Sequence, residues 1–161
     1  PSVEGTRPML IEVQALVSNT LFGMPRRVAT GMDYNRVVLM IAVLEKKVGL
    51  HMQNSDAYVN IVGGIQIKEP AVDLGIICAI ASSFKDVPIE DKMVVMGEVG
   101  LTGELRTISF IDKRIKEAAK LGFKKAVIPK ANLKGLDKIE GIKVIGVSNI
   151  EDALDAVLGG S

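Results

Sequence analysis

Apolar and polar positions along the chain fall into stretches of two different periods. MLIEVQALV (9–17) alternates imperfectly and is rich in branched residues, which predicts a first strand, followed by a connection from Ser18 to Gly31 that carries Pro25, Arg26 and Arg27. From Asp33 the pattern changes: DYNRVVLMIAVLEKKV runs without Gly or Pro to Gly49. It opens on a residue suited to an N-cap and closes with Lys46 and Lys47 where the helix dipole favours cations, so it predicts a helix with a buried middle. AYVNIV (57–62) predicts a second strand ending at Gly63-Gly64, and Ala71 to Phe84, small or apolar almost throughout, a second and buried helix that Gly75, Ala79 and Ala81 let a neighbour approach closely. MVVMGE (93–98) and ELRTI (104–108) flank the turn-prone GLTG and predict a hairpin. Ile111, Ile115, Ala118 and Ala119 then recur at helical spacing opposite a charged face. Short strands at 125–128 and 142–145 and a last helix over 149–158 complete the pattern, whose alternation favours βαβ units in the final third.

Composition narrows what such a chain can do. Its 161 residues are enough for one domain with a conventional core. The core must be aliphatic, since 48% of residues are apolar, 4% aromatic and none is Trp; a base-stacking platform is therefore not expected. A net charge of +1 with 24% charged residues excludes both disorder and a wholly basic coat, so any polyanion would meet a local patch. One Cys (Cys78) and one His (His51) are too few for a zinc site or a dithiol, and no metal is expected. A nucleophile–histidine system would have to run through His51, in VGLHMQN, where a solvent-facing or satisfied imidazole is the simpler expectation. P-loop, HExxH and EF-hand patterns are absent from the sequence. The longest apolar run, Val37 to Leu44, is far too short for a membrane span, and no signal-peptide pattern opens the chain, which together suggest a cytoplasmic protein. Residues 1–8, PSVEGTRP, read as a linker from something upstream, with 9–161 as the domain.

Four segments, in order, carry a resemblance. They are Gly63 to Ser82, MGEVGLTGEL from Met96, the helix near Ile111, and AVIPKAN from Ala126. This series resembles the proteolytic domain of the Lon protease family, in which a Gly-Pro-Ser-Ala-Gly stretch opens a helix, a Gly-Glu-x-x-Leu-x-Gly hairpin follows, then a helix bearing a lysine. PRRVATGMDYNRVVLMIAVLEKKVGL, DAYVNIVGGI and EPAVDLGI are closer still to the Lon-like C-terminal domain of a family of bacterial DNA-repair ATPases. The resemblance implies an α+β fold with mixed sheets and packed helices, the Lon proteolytic-domain fold of the ribosomal protein S5 domain 2-like class. Active members use a serine activated by a neutral lysine. With the helix start aligned on Gly75 the serine position falls on Asp73, and with the hairpin aligned on Gly97, Glu98 and Gly103 the lysine position falls on Asp112. Neither carboxylate can replace its counterpart, so no catalytic residue and no peptidase activity are expected. Asp73 has an ordinary explanation in a helix first turn and Asp112 in a Ser109-x-x-Asp112 capping box. If the two face one shallow cleft, their proximity could raise one pKa or attract a divalent ion. A displaced peptidase pairing Ser82 or Ser83 with Lys85 or Lys113 is the remote alternative, because those serines lie about 14 Å along the helix from the expected position.

Charge placement supplies the remaining signal. Basic residues outnumber acidic ones over 1–54 and 111–161, while 55–110 holds eight acidic against four basic. Arg26 and Arg27 share a loop, and Arg36 and Lys47, eleven residues apart, are expected on one helix face about 16 Å from each other. Taken alone they can equally be solvated charges, with Lys46 and Lys47 complementing the helix dipole; the resemblance makes these four the expected DNA-binding residues, contacting duplex backbone without reading sequence, and four neutralised phosphates imply a log–log salt slope of about −3.6. The resemblance further implies an oligomerisation platform, a hexamer in a full protein, and a helicase or translocase whose ATP, Mg and Zn belong to an upstream part, with no cofactor in this domain. A pure oligomerisation scaffold without DNA contact is the competing expectation.

Overall fold

The computed structural model describes residues 10–62 and 69–159; the linker expected at 1–8 and the strand end expected at Gly63-Gly64 lie outside the described residues. The first strand, β1 (Glu12–Asn19), pairs antiparallel with β3 (Ser55–Val62), with Leu16 opposite Tyr58. Within the connection expected to be irregular, Arg27–Thr30 form a further strand, β2, on the other side of β3 and parallel to it. Four residues between two glycine-containing turns carry too little pattern to be seen in sequence. Their pairing is non-local, reached only through the helix that follows.

That helix, α1 (Tyr34–Val43), starts where expected: the Asp33 carboxylate accepts from Asn35 N at 3.1 Å. It ends in a π-helical turn, Leu44–Val48, closed by Gly49 in the left-handed region. β2, α1 and β3 thus form a βαβ unit, the crossover that parallel neighbours require. Such a helix runs opposite to its strands, so the end of α1 bearing Lys46 and Lys47 lies at the same end of the sheet as the start of β2 and β3.

After a 3₁₀ turn at Pro70–Val72, α2 (Asp73–Lys85) runs through the centre of the molecule; Leu74, Ile76, Ile77, Cys78, Ile80 and Ala81 are fully buried. Its apolar residues surround it because it packs on β1, α1 and the last helix, α4 (Ile150–Leu158), at once. Small residues decide how close those contacts come: a Cβ at Gly75 would touch both Val13 and Val95.

The MVVMGE run does not make one strand. Met93–Val95 (β4) joins a parallel sheet with β7 (Lys125–Pro129) and β8 (Lys143–Val147), in the order β4-β7-β8, whereas Glu98–Val99 (β5) pairs antiparallel with Leu105–Arg106 (β6). The crossing point is the buried Gly97, where a Cβ would stand 3.5 Å from both Leu74 and Pro129. Its N–H donates to Ala71 O and its carbonyl accepts from Leu74 N, each at 3.0 Å. The amphipathic helix α3 (Ile111–Lys120) closes a second, smaller core with Ile115 and Ala118 against Ala126 and Ile128. The architecture is therefore α+β, with three small sheets and packed helices, as expected in class.

Candidate functional site

Asp73 begins α2 and is almost completely buried, at 1% exposure. Its carboxylate is a closed acceptor. Arg36 Nε donates to Oδ1 at 2.8 Å, Arg36 Nη2 donates to Oδ2, and Val99 N donates to Oδ2 at 3.0 Å. Arg36 comes from the first turn of α1, so one forked pair ties the starts of both helices to β5. The side-chain hydrogen bond to Asp73 raises the Arg36 pKa above its ordinary value, against the opposing effect of burial. An aspartate favoured by the helix first turn was expected here; the structure keeps it there and adds a buried, bidentate ion pair. Arg36, expected on the DNA-binding surface, is held in that pair at 32% side-chain exposure.

Asp112 lies in the first turn of α3 and is exposed. The capping box expected around it does not form. Phe110 takes the N-cap position with φ +60° and no side-chain cap, which puts Ser109 one residue outside the helix; the Ser109 carbonyl accepts from Arg114 Nε at 2.8 Å, and Arg114 is itself buried and paired with Glu69. Asp73 and Asp112 both open helices, yet every hydrogen bond described for the Asp73 carboxylate comes from Arg36 or Val99, and none joins it to Asp112. Ser82 donates to Val87 O at 2.5 Å, and Ser83 Oγ accepts from Val17 N at 2.8 Å, so both hydroxyls fasten α2 to its surroundings. Cys78 is enclosed in the core, and burial pushes its thiol up to about 12. His51 is exposed.

The opposite end of the first sheet holds the other expected residues. Arg27 folds its guanidinium onto the chain: Nη1 donates to Ser55 O and Nη2 to Met52 O, the latter at 3.1 Å. Like Arg36 it is internally committed. Arg26 is exposed, as are Lys46 and Lys47 at the end of α1, and the stem of Lys47 rests beside Gly103 of the GLTG turn. Between β1 and β2 the chain makes a projecting turn whose two feet meet one side chain. Asp56 Oδ1 accepts from Thr20 Oγ1 at 2.9 Å and from Arg26 N at 2.8 Å, which, the backbone bond first, lowers the Asp56 pKa. From this pinned base Leu21, Phe22 and Met24 stand 80%, 89% and 85% exposed. Reading the arginines alone missed this feature, although LFGMP, three large apolar residues at a turn, was a visible signal for it.

The end of the sheet therefore offers exposed cations and an apolar tip, while the end bearing Asp73 is closed. Comparison with known proteins bears on both. A family model described as subunit ChlI of Mg-chelatase matches residues 12–132. The chain is 59% identical over 159 residues to a DNA repair protein RadA of Bacillus subtilis, covering 99% of this chain and 35% of that protein. To DNA repair proteins RadA of Streptococcus pyogenes serotype M1 and Listeria monocytogenes it is 51% identical, covering 97% and 98% of this chain and 34% of each. The chain spans about a third of the length of these curated relatives.

Proposed function

The chain belongs to the family described as subunit ChlI of Mg-chelatase, and from that premise and its likeness to RadA we propose that it is the non-proteolytic, Lon-like part of a DNA-repair protein. In this proposal it acts as an oligomerisation platform and as a sequence-independent contact to the DNA backbone. The observation that carries it is the Arg36–Asp73 clasp. A Lon-type site needs a hydroxyl nucleophile with a free lysine as base; at the corresponding place stands a carboxylate already saturated by a guanidinium and a backbone N–H. That arrangement fixes two helix starts and supports the non-proteolytic reading. Among the described residues no group of three or more His, Cys, Asp or Glu side chains could hold a metal ion.

The DNA contact falls to the other end of the sheet. With Arg27 and Arg36 internally engaged, Arg26 and Lys47 remain of the four expected cations. Two neutralised phosphates per copy give a log–log salt slope of about −1.8 in place of −3.6. Single copies would bind weakly, and a ring would raise the affinity through effective concentration. The proposal places ATP, Mg and Zn with the remaining two thirds of a longer protein, as a helicase or translocase acting as a hexamer.

Two measurements test this. Duplex binding by the full-length protein across a salt series should weaken with Arg26→Ala and with Lys47→Ala, each lowering the slope by about 0.9 per copy. Unchanged affinity and slope would leave the scaffold without DNA contact, the second reading, to which the internal bonds of Arg27 and Arg36 lend support. Asp73→Ser should yield no casein cleavage, because a serine without its lysine is not activated; cleavage would refute the non-proteolytic reading.

A further inference from the structure

The turn between β1 and β2 holds Leu21, Phe22 and Met24 out in water, on a base that Asp56 fastens without them. Gly23, at φ +68° with open space where a Cβ would stand, sets its tip. With an aromatic side chain burying about 150–250 Å², the three together present on the order of 500 Å² of apolar surface. An apolar point of that size on an otherwise polar exterior marks a contact.

Elsewhere on the same chain a groove of about 360 Å³ runs between β1 and the C-terminal end of α2. Val13 and Ala15 of β1, Ala79 of α2 and the segment Val87 to Ile89 line it. Its hydroxyls are already engaged, since Ser82 Oγ donates to Val87 O and Ser83 Oγ accepts from Val17 N. Asp86 is the one charged residue described in the lining, and Lys85 adjoins it in sequence. The groove thus has room for about a dozen waters and few groups to hold them, a space suited to apolar side chains. Leu21, Phe22 and Met24, exposed as they are, do not fill the groove of their own copy.

We propose that the tip of one copy seats in the groove of the next, with Phe22 as its anchor, as a head-to-tail contact between copies of this chain. This rests on the oligomerisation reading and adds the surfaces that meet. Area selects a second copy as the occupant. One tip in one groove falls short of the roughly 800 Å² per partner that a stable pair buries. A partner that carries both features gives every copy two such contacts once the assembly closes, because a head-to-tail interface joins two different patches of one chain. Charge plays little part: Arg26, beside the tip, acts on Asp56, and Asp86 has Lys85 next to it. Phe22 is the anchor because an aromatic at the centre of a desolvated contact carries most of its affinity. The fastened base matters because a turn already fixed in shape loses less freedom on docking.

The test uses the full-length protein. Phe22→Ser with Met24→Ser should weaken self-association about tenfold or more, read by mass photometry across a dilution series. Both side chains are exposed, so the circular dichroism of this double variant should match the wild type. Cross-linking then locates the contact. Phe22→Cys and Pro88→Cys are prepared as separate single variants, Pro88 being exposed at the groove, while Cys78 is buried and out of reach. Assembled together and treated with a short bismaleimide, they should join copy to copy. Each alone should give no more product than the wild type, because a head-to-tail contact brings the two different positions together. Assembly unchanged in the double variant, or no mixed product, would overturn the tip-in-groove contact while leaving the oligomerisation reading intact. Phe22→Cys joined to itself would make the contact tip-to-tip and overturn it equally. Loss of DNA binding by the double variant at unchanged assembly would assign the turn to DNA instead. A wild type that stays monomeric at every concentration would remove the oligomerisation reading, and this contact with it.

Discussion

Replacing Arg36 by Met is the sharpest perturbation of the buried pair. Asp73 is 1% exposed and Arg36 32%, so the two partners are not equivalent. Without Arg36, a carboxylate cut off from solvent keeps one donor, Val99 N at 3.0 Å. Stranding one member of a buried pair costs about 3–5 kcal/mol. At about 2–4 °C per kcal/mol for a chain of this size, the thermal midpoint should drop by about 6–20 °C. Asp73→Leu instead leaves a guanidinium that can turn to water, and the principal loss is the acceptor for Val99 N–H, about 1–3 kcal/mol. Combining the two removes the stranded charge altogether. The double variant should therefore be more stable than Arg36→Met alone, and its deficit should fall short of the summed single deficits by at least ~1 kcal/mol. Urea unfolding of the wild type and three variants at neutral pH measures all four corners. An Arg36→Met variant no less stable than Asp73→Leu, or additive single effects, would refute the clasp as an energetic unit.

Three further outcomes follow from other parts of the fold. Cys78, buried and with its thiol raised to about 12, should not react with a thiol reagent at pH 8 in the native state and should react fully in denaturant. Gly31→Ala should destabilise by about 1–3 kcal/mol in chemical unfolding, because Gly31 has φ +83° and a Cβ there would meet Ile61 O at 3.0 Å; an unchanged midpoint would contradict the geometry. The Thr102 hydroxyl, then backbone and Arg106 hydrogen bonds, hold Glu104 down from 4.5 to about 2. A carboxylate depressed on folding stabilises above its unfolded value, and that contribution is lost as pH falls through the folded one. The stability advantage of wild type over Glu104→Gln should accordingly be constant above about pH 5 and shrink towards pH 2; a gap that widens on acidification would reverse the sign.

Much of this molecule was written locally. The cap of α1 at Asp33, the amphipathic α3, the uniformly apolar α2 and the alternation of β7, β8 and α4 could all be read from sequence, since each depends on neighbours within a turn or two. The Lon-like motif order also identified Asp73 and Asp112 as the positions to inspect. What stayed hidden was non-local. β2 exists because β3, some thirty residues on, offers a parallel edge, and the 93–98 run divides because Leu74 and Pro129 close over Gly97. Charge shows the same division most plainly. Sequence counted four cations as equals, since a formal charge is a property of one residue. Tertiary structure turned Arg36 onto a buried carboxylate and Arg27 onto backbone carbonyls, and left Arg26 and Lys47 exposed at one end of a sheet. Whether an arginine faces a phosphate or an interior acceptor depends on which group lies within hydrogen-bonding distance, and only the packing of distant segments sets that distance.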